Sequence, residues 1–211
     1  MLESKAYKIV NEVFNAVTHG IGMILAIVGL IFLLIKSHNV VSTTAYALYG
    51  STLILLFLCS TLFHSLIFTK AKTVFQIFDH SSIYLLIAGT YTPYCLISLK
   101  GWVGIALLVT IWALAILGVV YKSVFLPKLS KIPKISTIIY IIMGWLCILT
   151  VKPLLDALGW NGFLLLLIGG LCYTLGAVFY SLNKVPFMHV VWHLFVMAGA
   201  TFMYFSIYLT T

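Results

Sequence analysis

The chain has 211 residues, of which 63% are apolar and 8% charged, far from the roughly 45–50% apolar and 25% charged of soluble globular domains. That composition excludes a soluble fold, a disordered chain, a secreted disulfide scaffold and a nucleic-acid binder. At about 20 apolar residues per bilayer crossing, seven spans fit with about 70 residues left for connections. Those are too few for a catalytic domain outside the membrane, so any chemistry must be built on or beside the spans. The +8 charge reflects twelve lysines, no arginine and four acids, and in so apolar a chain a basic balance reports orientation against an anionic inner leaflet rather than polyanion binding.

Apolar runs between lysines and turn residues predict helices near 14–35, 43–68, 77–99, 102–121, 135–151, 160–181 and 188–209. The breaks fall at Ser37-His38-Asn39, Lys70–Lys72, Lys100-Gly101, Pro127–Lys134, Lys152-Pro153 and Asn183–Pro186. None is a linker, so the expectation is one domain over residues 1–211, an all-α seven-transmembrane bundle. With the N-terminus in the cytoplasm, nine lysines lie inside (Lys5, Lys8, Lys70, Lys72, Lys122, Lys128, Lys131, Lys134 and Lys184) and three outside (Lys36, Lys100 and Lys152). This bias predicts a cytoplasmic N-terminus and an outside C-terminus. The segment before the first span, with Glu3, Lys5, Lys8 and Glu12, has no convincing small-residue cleavage site and reads as an uncleaved end.

In chain order, the first span opens with Glu12, Asn15 and His19 on one helical face, which reads as structural or supporting. The second ends with Ser60 and His64, four residues apart. The third begins with Asp79 and His80, the latter expected to support the site or face headgroups. Further along it, Gly89 and Pro93 are expected to loosen or kink the helix. Cys59, Cys95, Cys147 and Cys172 sit singly in apolar runs and read as packing residues. Gly169, Gly170, Gly176 and residues 198–200 read as close-packing contacts. The seventh span begins with His189 and His193, whose spacing puts both imidazoles on one face, able to reach one metal. On this topology five of the six histidines and three of the four acids lie at the inner side, leaving only His38 and Asp156 outside in loops.

Ionisable groups in a bilayer are functional suspects, and here three imidazoles, a carboxylate and a hydroxyl can converge at one depth. Neutral histidines with an open fourth position make catalytic zinc sites, although copper, iron and nickel also accept imidazole. In HVVWH, Val190 stands where a zincin helix carries its glutamate, so a base must come from elsewhere. The bland alternative is a set of interfacial polar residues.

The runs NAVTHGIG at 15–22, CSTLFHS at 59–65, DHSSIYLLIAGTYTP at 79–93 and HVVWHLF at 189–195 together resemble the hemolysin III family, the bacterial branch of the progestin and adipoQ receptor superfamily. The resemblance covers the chain from about Glu12 to Tyr208 with the motifs in order. It implies a multi-pass protein of the bacterial cytoplasmic (inner) membrane with a zinc ion near the inner face. The implied ligands are His64, His189 and His193, with Asp79 holding or activating the zinc-bound water and Ser60 beside it. It also implies lipid-amide, ceramidase-like hydrolysis or a role in membrane-lipid homeostasis, with membrane lipids as partners. A pore-forming haemolysin and a non-enzymatic sensor or receptor with structural zinc are the competing readings. The long cytoplasmic N-terminal domain of the receptor branch is missing, which tells against a hormone receptor. The seventh span has no lysine for a retinal Schiff base, and a cytoplasmic N-terminus opposes the usual orientation of G-protein-coupled receptors.

Overall fold

The computed structural model describes residues 4–99, 101–128, 135–182 and 184–211, and among them every regular element is helical. Lys100, Lys131, Lys134, Asn183 and Glu3, which figure in the expectations above, lie outside the described residues. The helices are α1 (Lys5–Lys36), α2 (Val40–Ser65), α3 (Lys72–Pro93), α4 (Trp102–Phe125), α5 (Ile135–Trp145), α6 (Val151–Ser181) and α7 (Met188–Thr210). A π-helical turn, Tyr94–Ser98, prolongs α3, and a 3-10 stretch, Leu146–Thr150, joins α5 to α6.

Five stretches are long and apolar enough to cross a membrane: 5–36, 40–65, 102–125, the continuous run 135–181, and 188–210. α3 is not among them, and its place in the fold explains why. His80, Ser81, Ser82, Tyr84, Gly89 and Thr92 are all buried, so this helix faces other helices on most of its circumference and needs no lipid-compatible surface. α1 is the opposite case: Ile21, Ile24, Leu25, Ile31, Phe32 and Ile35 are exposed, a surface suited to acyl chains rather than water.

Three boundaries differ from the expected ones. α1 starts at Lys5 rather than near residue 14, because the Ser4 hydroxyl caps it by accepting from the Tyr7 amide at 3.1 Å. The break expected at Lys152-Pro153 is absent, since Pro153 sits in the first turn of α6, where a missing N–H costs nothing. The interruption falls instead at Gly159, whose φ of 65° and ψ of 174° lie outside the helical region and suit only glycine. Pro93 closes α3 without a mid-helix kink; the chain widens into the π turn, and Leu99 N–H reaches Tyr94 O at 2.7 Å.

α1, α2, α3, α5, α6 and α7 form a closed ring, with α4 packed outside against α3. The contacts α6–α7, α1–α2 and α2–α3 are the most extensive, while α5 meets α3 and α6 only lightly. Close approach of α2 and α3 depends on Gly89, where a Cβ would stand 2.0 Å from Thr52 Oγ1. Gly169 and Gly176 bring α6 against Met203 and Trp192 of α7 in the same manner. All four cysteines are free thiols, with Cys59 and Cys95 buried. One lysine departs from its expected place: Lys122, counted above with the inner-side loops, is 0% exposed within the bundle.

Candidate metal centre

At the end of the bundle where α1, α3 and α7 begin and α2 ends, His64, His189 and His193 each offer a ring nitrogen, and these atoms lie within 4.8 Å of one another. The ring centroids are 4.8–5.1 Å apart. Helical periodicity puts His189 and His193 on one face of α7, and α2 supplies His64 from across the ring. Such a set could hold one metal ion.

α1 sets the tautomers. His64 Nδ1 faces Glu12 Oε2 at 2.6 Å; the carboxylate accepts, so in the neutral ring the other nitrogen, Nε2, carries the lone pair. That Nε2 is buried with no hydrogen-bond partner, which is the position a metal would satisfy. His193 Nδ1 lies 3.2 Å from the Asn15 carbonyl, which can only accept, and 3.2 Å from Thr18 Oγ1. The Thr18 hydroxyl donates to Phe14 O at 2.8 Å, so toward the imidazole it is an acceptor. His193 therefore also presents Nε2 as a free base. A carboxylate or carbonyl behind each histidine is the usual support for a metal-binding imidazole.

His19 does not belong to the metal-competent trio. It stacks on His193 with centroids 3.6 Å apart and planes 7° from parallel, edge-on to Phe57 at 5.0 Å. Both its ring nitrogens, and both polar atoms of the Asn15 side chain, are buried without partners. His80 is buried rather than headgroup-facing, and its carbonyl accepts from Tyr140 OH at 2.9 Å.

Ser60 and Asp79 stand on the wall of a cavity of about 360 Å³ that His19, His80, His189 and His193 also line. Ser60 is 2% exposed and Asp79 is half-buried. Its walls extend along α3 and the turn after it from Asp79 to Leu99, about 30 Å at 1.5 Å per residue, and along α6 between Val151 and Tyr180. Beyond the polar end they are almost wholly apolar, with Ile87, Leu107, Phe163 and Leu166 among them. The structure thus brings Ser60, Asp79 and four histidines to one end of an apolar cavity.

Two contributors went unforeseen in the sequence. Thr18 stands three residues after Asn15, on the same helix face, and that spacing could have disclosed it. Tyr7 could not have been found that way. Its hydroxyl accepts from Phe187 N–H at 3.0 Å, and its ring meets Phe187 edge-on at 5.2 Å. Phe187 has a φ of 60°, a left-handed conformation costing a non-glycine residue on the order of 1–3 kcal/mol. It immediately precedes α7, so the Tyr7 contact holds the helix start that presents His189.

A family model described as haemolysin-III related matches residues 7–204. The chain is 49% identical over 200 residues to Hemolysin-3 of Bacillus cereus, covering 93% of this chain and 90% of that protein. It is 45% identical over 204 residues to a Hemolysin-3 homolog of Bacillus subtilis (strain 168), covering 95% and 94%. It is also 32% identical over 200 residues to the monocyte to macrophage differentiation factor of Homo sapiens, covering 92% and 82%.

Proposed function

This chain belongs to the haemolysin III-related family, and from that membership and the histidine geometry we propose that it is a zinc-dependent intramembrane hydrolase of lipid amides. The observation that carries the proposal is the metal-competent set His64, His189 and His193 at the polar end of an apolar cavity. In this reading the seven helices each cross the bacterial cytoplasmic membrane. The N-terminus and the histidine end face the cytoplasm, as the lysine bias favours. Zinc fits three neutral imidazoles with a position left open, and when bound would polarise a carbonyl and lower the pKa of a water toward about 7.

The chain's own groups account for the rest. The apolar walls take an acyl chain and exclude water from the reacting amide. Ser60 is placed to donate to the carbonyl oxygen as negative charge develops there, a contribution of about 2.7–4 kcal/mol for an oxyanion donor. Asp79 serves as base toward the attacking water and then passes the proton to the departing amine. The products are a fatty acid and an amine. Glu12, Asn15 and Thr18 hold two ligand rings in register, so little reorganisation is required when the metal enters.

Element-resolved metal analysis of detergent-purified protein tests this reading. About one zinc per chain, absent from a His189→Ala/His193→Ala double variant, would establish the site. Absence of bound metal after zinc reloading would sink it. Given zinc, Ser60→Ala should retain the metal and lose most turnover of lipid amides followed by mass spectrometry. The names of the two Bacillus relatives support a second reading, membrane lysis, whose signature is dye release from vesicles that persists after chelation.

A further inference from the structure

Between α1 and the end of α2 lies a groove of about 400 Å³ that shares no lining residue with the cavity described above. Its apolar walls include Ile9, Val13 and Val17, on one face of α1, and Phe68 just after α2, all four exposed on the outside of the bundle. On a helix that crosses the membrane such a surface meets acyl chains rather than water. Glu12 and His64 also line the groove, and they are the pair that meets at 2.6 Å. The groove therefore reaches His64 from its Nδ1 edge, away from the Nε2 left for a metal. That contact engages one oxygen of Glu12, and a carboxylate accepts more than one donor. An imidazole that keeps Nε2 for a metal is neutral, so the negative charge stays on Glu12, whose side chain is only 19% exposed. Among the described residues no lysine forms an ion pair with it; Lys5 and Lys8, earlier on α1, are exposed. A carboxylate set among apolar walls without a cation is costly.

We propose that this groove binds a long-chain primary amine, its ammonium on Glu12 and its alkyl tail along Val13 and Val17. Glu12 is the last charged residue before the apolar run 13–35, so the head lies at the edge of the span and the tail within it, the way a charged amphiphile sits in a bilayer. The carboxylate selects the head and the walls select the tail. A fatty acid of the same length would bring a like charge to Glu12, and an alcohol would leave the carboxylate uncompensated. Binding needs neither metal nor turnover, so the site goes beyond the hydrolase reading, although the amine released by that reaction belongs to the same class of ligand.

The test uses dodecylamine carrying a diazirine at the end of its tail, photolysed with the full-length protein in detergent and mapped by peptide mass spectrometry. Dodecanoate and dodecanol with the same diazirine run beside it. The amine should label α1 and the residues around Phe68, and unmodified dodecylamine should compete. Glu12→Gln should lower that labelling about tenfold, the loss expected for one charge-assisted hydrogen bond. Ala16→Phe, at another lining position, fills the groove without touching the carboxylate and should do the same; it carries the test if Glu12→Gln fails to fold. Labelling of α1 by the dodecanoate equal to that by the amine would overturn the choice of headgroup. Amine labels confined to α5 and α6 would put the ligand in the other cavity and overturn the site, as would groove labelling unchanged in both variants. Chelation of metal should leave the wild-type labelling in place, so a failed metal-site reading and a failed amine site give different results; labelling lost on chelation would refute the site's independence of the metal centre.

Discussion

Around α7 the helices close on one another through glycines and fixed hydrogen bonds, whereas around α5 they part and leave a cavity. On the α7 side, Gly169 and Gly176 admit Met203 and Trp192, and His64 and His193 are both held by α1. On the α5 side, an 11-residue helix gives way to a 3-10 stretch, and Thr137, Ile141 and Gly144 look onto open space. On the proposed function, the contrast meets two demands in one bundle. Metal ligands must be held within a few tenths of an ångström, while a lipid-sized ligand needs a wall that does not fill its own volume.

The contrast can be broken at its tight side. Gly89→Ala should cost about 2–3 kcal/mol of stability through overpacking, since the new Cβ would meet Thr52 atoms at 2.0, 3.0 and 3.1 Å; thermal melting in detergent measures it. Glu12→Gln should weaken zinc binding about 10–100-fold by loosening His64, with the fold retained, as read by competition with a chelator. An affinity equal to wild type would mean that α1 does not support the site. Filling the open side should have the reverse signature. Ala177→Phe, at a buried cavity-lining position on α6, should keep the metal and change stability by about 1 kcal/mol while reducing co-purified lipid in native mass spectrometry. Gly144→Ala on α5 meets nothing within 4 Å and should stay within about 0.5 kcal/mol of wild type, the smallest effect and the control for Gly89.

The site histidines were legible because helical spacing is local: His189 and His193 share a face whatever packs against them, and the burial cost of polar groups marks them in an apolar run. Glu12 and Asn15 were visible as one face with His19, but their partners were not. A sequence does not say that Glu12 reaches His64, 52 residues away, or that the Asn15 backbone rather than its side chain meets His193. Lys122 shows the converse. Its position near the end of an apolar run looked like that of any inner-side lysine, and only the packing of α4 against α3 turned it inward.

By itself the sequence determined the all-helical membrane class, through composition and apolar run length, and the motifs that carry family membership. It also determined that polar chemistry gathers at one end of the spans, because each residue's depth follows from its place along a helix. Tertiary structure alone decided which groups touch. It separated His19 from the metal-competent trio, put Glu12 behind His64 and Tyr7 behind Phe187, withdrew Lys122 from the surface, and opened the cavity beside α5. The physical reason is that hydropathy and helical period specify depth and face, whereas rotation of one helix against another is settled by the sum of close contacts around the ring.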